Sequence, residues 1–136
     1  MSATILPKLF DATTGAVVID RLEIATNFWQ RLRGWQFRSR PPTGTGILLA
    51  PCNAVHTFGM RFDIDIAFLD RIGKVIAVKS RIVPWRFVLP VVAAQAVLEI
   101  PSGQGHVSLG QTLAIAGTRE LALPHAVHAL IKGSMS

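Results

Sequence analysis

From Met60 to Leu69 the residues alternate without a break. Met60, Phe62, Ile64, Ile66 and Phe68 fall on one side, and Arg61, Asp63, Asp65, Ala67 and Leu69 on the other. A period of two is the repeat of a strand with one face in a core; a helix face would recur at three and four residues. Asp70-Arg71-Ile72-Gly73 follows, with glycine where a tight turn needs a positive φ, and Lys74–Ile82 returns antiparallel. An antiparallel hairpin in mid-chain is therefore the element around which the rest must be arranged.

The remaining pieces are short and punctuated by Gly and Pro, a pattern of sandwiches and barrels. Lys8–Asp11 and Ala16–Ile19 flank ATTG as a hairpin, and Arg21–Ala25 is expected to extend that sheet. A helix of about two turns is expected over residues 27–33. Asn27 caps it, Gln30 completes a capping box, and Gly34 ends it. RPPTGTG, from Arg40 to Gly46, is a loop, Ile47–Ala50 a buried strand, and Pro51 a break. Pro84, Pro90 and Pro101 cut the next region into pieces. Leu98–Ile100 and Gln111–Ala116 are further strands, and Pro124–Lys132 a short C-terminal helix opened by proline. The expected fold is mainly β: a compact antiparallel sandwich-like or half-barrel sheet.

A chain of 136 residues fits one domain, 1–136, and folding at this length buries roughly two-thirds of the unfolded surface. Half of the residues are apolar, and the mean hydropathy is +0.42. The longest apolar stretch, Phe87–Leu98, is interrupted by Pro90 and Gln95 and falls short of the ~18 residues that span a bilayer. MSATILPKLFDATTG lacks the pattern of a signal peptide, so a cytoplasmic protein is expected. The apolar excess then implies a covered surface: a partner, an oligomer contact or a greasy cleft. Cys52 stands alone and makes no internal disulfide. Ten arginines and four lysines against eight acids give a net charge of +6, which fits a solvating basic surface better than a nucleic-acid footprint.

Four segments carry a resemblance in the same order. They are RLRGW at Arg31–Trp35, HTFGMRFDIDIAFLDRIGKVI at His56–Ile76, LEIPSG at Leu98–Gly103, and Gly110-Gln111-Thr112-Leu113. Together they resemble the bacterial and archaeal family catalogued as domain of unknown function 192. The resemblance spans 26–115, leaving 117–136 as a C-terminal extension. It departs at Trp35, where the family usually has leucine, and at Gln111, where aspartate commonly follows the glycine. Membership implies a compact, mostly β, sandwich-like domain with one conspicuous helix, and implies no catalytic residues.

Asp63 and Asp65 stand about 6.6 Å apart along an extended strand, a spacing that suits a shared water or cation. The simpler reading pairs Asp63 with Arg61 in solvent and has Asp65 hold backbone groups of the HTFGM segment. Cys52 and His56 would be about 13 Å apart on a strand, too far for a thiol–imidazole pair that needs about 3 Å. His56 either lines a cleft with Met60 and Trp85 or is a core histidine bonded to a carbonyl. His125 and His128 lie three apart on the expected last helix, but a metal site needs a third ligand and none is evident. RLRGWQFRSR interleaves four arginines with Trp35 and Phe37, as single-strand binders do. A structural use is simpler, with Arg31 paired to a buried acid such as Glu99.

The function expected is a non-enzymatic β binding module presenting a cleft or apolar patch to a small-molecule or protein partner. The candidate residues are His56, Met60, Arg61, Asp63, Asp65 and Trp85, with no metal and no cofactor. The alternatives are a hydrolase-like enzyme using Asp65 and His56, and an anion or nucleic-acid binder using the Arg31–Arg40 cluster.

Overall fold

A computed structural model describes residues 6–104 and 107–116. The described chain runs β1 (Lys8–Asp11), β2 (Val17–Ile19), β3 (Arg21–Ala25), α1 (Phe28–Arg33), β4 (Thr45–Leu49) and β5 (Val55–His56). It continues through β6 (Ile64–Leu69), β7 (Val75–Ile82), β8 (Phe87–Val88), β9 (Ala96–Pro101) and β10 (Leu113–Ala116). Among the described residues the fold is mainly β, with several sheets and one short helix. The expected helix at Pro124–Lys132 lies outside the described residues.

A five-stranded sheet in the order β3-β4-β9-β6-β7 has a three-stranded sheet, β10-β1-β2, against one face. Its other face is covered by Trp35 after α1, by Met60 and Phe62, and by Val88 of the β5-β8 ribbon. The two cores explain the burial of the sheet. On β6, Ala67 and Leu69 pack toward the three-stranded sheet, while Ile64, Ile66 and Phe68 pack on the α1 side. The alternation thus sorts residues between two cores rather than between core and solvent. The strand also starts later than expected, at Ile64, and the chain before it is irregular, bending at Arg61 and Phe62.

The hairpin forms as expected. Leu69 faces Val75 and Ala67 faces Val78. Gly73 has φ 90°, and Asp70 Oδ1 accepts from the N–H groups of Ile72 and Lys74 at 3.0 and 2.9 Å. At the other end Ile64 faces Ile82 while Ile66 faces Lys79, so β7 carries an extra residue. Such a bulge kinks one strand and leaves an unpaired donor. Arg81 sits there at φ 53°, and its N–H donates to Asp65 Oδ1 at 2.8 Å.

One expectation of the strand layout is corrected. Arg21–Ala25 does not extend the first hairpin; it leaves for the larger sheet. There β3 pairs with β4 in parallel, with Leu22 beside Gly46 and Ile24 beside Leu48. A parallel neighbour requires a long crossover, and α1 with the loop after it supplies one. The capping of α1 is as expected. Asn27 Oδ1 accepts from Gln30 N at 2.8 Å, Gln30 Oε1 accepts from Asn27 N at 3.5 Å, and Gly34 ends the helix at φ 48°.

Candidate functional site

A cleft of about 270 Å³ opens between α1 with its C-terminal turn and the segment 51–60, and Glu99 lies at its base. Arg31, Arg33 and Gly34 come from the helix side; Cys52, His56, Phe58 and Met60 come from the facing segment. The base is the central sheet. Glu99 of β9 faces Ile47 of β4 on one side and Ile66 of β6 on the other, and both isoleucines belong to the core on the cleft side.

Glu99 is 3% exposed. No described residue hydrogen-bonds to its carboxyl, and burial pushes its pKa up to about 8. A carboxylate surrounded by isoleucine and leucine loses its hydration without a compensating charge, so the group holds its proton. The expected Arg31–Glu99 pair is absent. Arg31 Nη1 donates instead to the Pro51 carbonyl at 2.7 Å, which ties the helix to the opposite wall. Arg38 takes the acid that is within reach, binding both oxygens of Glu23 at 2.6 and 3.0 Å. Glu23 also accepts from the Trp35 indole at 3.3 Å.

His56 lines the cleft with Met60 and is bonded to a carbonyl, but it is half-buried rather than a core residue, and Trp85 does not line the cleft with it. Its Nδ1 accepts from Phe58 N–H at 3.2 Å, which places the ring proton on Nε2, 3.1 Å from the Leu32 carbonyl. Nε2 thus joins α1 to the facing wall, while Nδ1 is held within its own segment. Cys52 donates its thiol to the Ala54 carbonyl at 3.0 Å, and burial pushes the thiol up from its ordinary value. Met60 is buried in the cleft wall. Trp85 is exposed and does not line the cleft; it stacks on Phe58 at 5.9 Å, and its backbone N–H donates to the Thr57 carbonyl at 3.0 Å.

The other candidates lie elsewhere. Asp65 borders a separate cavity of about 80 Å³ with Ser80 and Val107. Its partners are Arg81 N, Ser102 Oγ at 3.0 Å and Gly103 N at 3.2 Å. It therefore pins the bulge of β7 and the turn after β9, not the HTFGM segment. Asp65 and His56 are not brought together. Arg61 is exposed and Asp63 half-buried, and they form no ion pair among the described residues. Asp63 contributes its backbone carbonyl to Ser102 N at 3.0 Å.

The arginine-rich segment is largely tied to its own chain. Besides the Arg31 and Arg38 contacts, Arg40 donates to the Ser102 carbonyl at 2.8 Å, and Trp35 is fully buried against Phe62 rather than offered as a stacking surface. Much of the exposed apolar area lies past β7: Trp85, Phe87, Leu89 and Val92 are 65, 74, 77 and 92% exposed. Thr57 anchors the start of that stretch, donating to the Val83 carbonyl at 2.7 Å and accepting from Arg86 N at 2.8 Å. No helix among the described residues is long and apolar enough to cross a membrane. No cluster of three metal-ligating side chains occurs among them, and His125 and His128 lie outside them.

Comparison with known proteins agrees with this architecture. The pattern of domain of unknown function 192, described as Uncharacterized ACR, matches residues 10–115. The match takes in β2 and β3 ahead of the four motifs. A UPF0127 protein of Thermococcus sibiricus is 34% identical over 99 residues, covering 70% of this chain and 64% of its own length. A UPF0127 protein of Pyrococcus abyssi is 35% identical over 88 residues, covering 61% of this chain and 73% of its own. Among solved structures, a protein of unknown function from Novosphingobium aromaticivorans superposes with a TM-score of 0.67 at 21% identity, covering 79% of this chain and 81% of its own. A candidate transcription regulator from Sinorhizobium meliloti superposes with a TM-score of 0.66 at 19% identity, covering 85% and 98%. At these identities the two structures share the fold.

Proposed function

The chain belongs to the domain of unknown function 192 family, and from that premise we propose that it is a small-molecule-binding module whose site is the cleft between α1 and the segment 51–60. One observation carries the reading: Glu99 presents a buried carboxyl, without a hydrogen-bond partner among the described residues, at the base of an otherwise largely apolar cavity. A buried polar group normally has a partner, because leaving it without one costs about 1–3 kcal/mol. A sequence that keeps such a group in the middle of a β face accepts that cost, which a ligand would recover. The cavity volume matches a small organic molecule, and its mixture of apolar wall and few polar groups is that of ligand sites.

The hydrolase-like alternative draws less support. A general base needs a free nitrogen or carboxylate oxygen aimed at substrate. His56 has both nitrogens engaged within its own chain, and Asp65 faces a different cavity. The Arg31–Arg40 cluster as a nucleic-acid surface draws less still, since Arg31, Arg38 and Arg40 are held by their own chain.

The test is a thermal-shift screen of small molecules on the full chain, repeated on Met60→Trp, which fills the cleft. A ligand specific for the native state raises the midpoint. Hits that lose their effect in the filled variant support the cleft. Hits unaffected by the filling place binding elsewhere and overturn this reading.

A further inference from the structure

The chemistry around Glu99 narrows the ligand. The charged groups that border the cleft are Arg31 and Arg33 from α1, while Cys52 and His56 face them from the opposite wall. In the sheet beneath, the cross-strand neighbours of Glu99 are the apolar Ile47 and Ile66. Glu99 is the one acid bordering the cleft among the described residues. A cationic ligand would meet the positive charge of Arg33 and of Arg31, which keeps its charge while donating to the Pro51 carbonyl. An anionic ligand would be drawn in by them.

We propose that the cleft takes a small carboxylate with an apolar body, and that Glu99, as a carboxylic acid, donates its proton in a hydrogen bond to an oxygen of that ligand. The inference rests on the cleft being the ligand site. The apolar body lies against Trp35, Phe58 and Met60, and the rim arginines balance the charge. No covalent step is involved: the proton stays on Glu99 and the ligand remains an anion. A carboxylic acid kept uncharged by an apolar site serves as such a donor at neutral pH, and its burial here pushes its pKa up to about 8. Charge-assisted hydrogen bonds of this kind are the short, strong class.

The test uses three matched probes, hexanoate, hexylamine and hexanol, on the full chain. Affinity is measured by calorimetry, and position by the amide shifts of Gly34 and Phe58. Hexanoate is expected to bind more tightly than the other two and to shift both amides. It stays ionised from pH 6 to pH 9, so its affinity should fall about tenfold over that range as Glu99 loses its proton. Glu99→Gln keeps a donor and should retain hexanoate binding with the pH dependence gone. Glu99→Leu keeps the fold and should lose binding. Preference for hexylamine, an affinity for hexanoate that is flat with pH, or loss in Glu99→Gln equal to that in Glu99→Leu would each overturn the donor role while leaving the cleft as the site. If no probe shifts Gly34 or Phe58, both the ligand class and the cleft reading fail.

Discussion

Gly34 stands directly over Glu99: a side-chain carbon at position 34 would lie 3.6 Å from Oε1 and 4.0 Å from Oε2. The end of the helix and the middle of a buried strand, 65 residues apart in the chain, thus meet at the base of the cleft. The bare helix end leaves the carboxyl reachable, and the φ of 48° at Gly34 is one that glycine adopts without strain. Gly34→Ala should lower stability by about 1–3 kcal/mol in denaturant unfolding through backbone strain alone. Its methyl would also meet the carboxyl, so it should weaken any ligand that reaches Glu99. An unchanged unfolding midpoint would show that the helix end can relax.

Asp65 is expected to matter more to the fold than Asp63. Its carboxylate accepts from three donors, two of them backbone N–H groups. Asp65→Ala strands those donors and should cost about 1–3 kcal/mol. Asp63→Ala leaves the carbonyl contact to Ser102 intact and should cost under about 1 kcal/mol. Urea unfolding of both variants beside the wild type gives the comparison, and equal small losses would contradict it.

Cys52 should be chemically quiet although it borders the cleft. Its thiol is half-buried, donates to Ala54 O and is held above its ordinary pKa by burial. The thiolate is the reactive form, so alkylation of the native protein should run at least about tenfold slower than in the unfolded chain. Equal rates would place the thiol in a different environment.

Gln111 offers a test of local charge. Its amide donates to Asp11 Oδ2 at 2.7 Å, and this bond, ahead of those from Thr14 and Thr13, holds the Asp11 carboxyl below its ordinary value. Gln111→Asp would put a carboxylate where the amide now donates, so the Asp11 pKa followed by NMR should rise. A lower or unchanged value would show that the loop rearranges.

The parts of the fold legible in the sequence are those decided locally. The capping box at Asn27 and Gln30 and the turn at Asp70–Gly73 depend on residues within four positions of one another. The parallel pairing of β3 with β4 depends on how a crossover packs, and alternation carries no information about that. The same limit hid the true partners of Asp65, which are 16, 37 and 38 residues away. Of the cleft, His56 and Met60 were within reach as neighbours in an apolar segment, but the helix side was not. Glu99 was missed as a site residue although it left a signal. It is the one charged residue in Ala96–Pro101, a strand buried along its whole length. An acid inside such a run needs either a partner or a purpose, and Arg31, the partner the sequence suggests, is bound to Pro51 instead.

The condition of the Glu99 carboxyl is the centre of this account, and its linkage to folding tests it most directly. Burial raises the folded pKa from 4.5 to about 8, so between those values the folded chain holds a proton that the unfolded chain has released. Stability from this group is therefore fully present below about 4.5, falls as pH rises, and levels off above about 8, a loss on the order of a few kcal/mol. Glu99→Gln has no such proton. The measurement is the unfolding free energy of wild type and Glu99→Gln from pH 4 to pH 9. The account predicts that the variant gains stability over the wild type as pH rises through that window. Parallel curves across the range would mean that Glu99 is ionised and solvated in the folded protein, and the cleft would lose the feature that defines it.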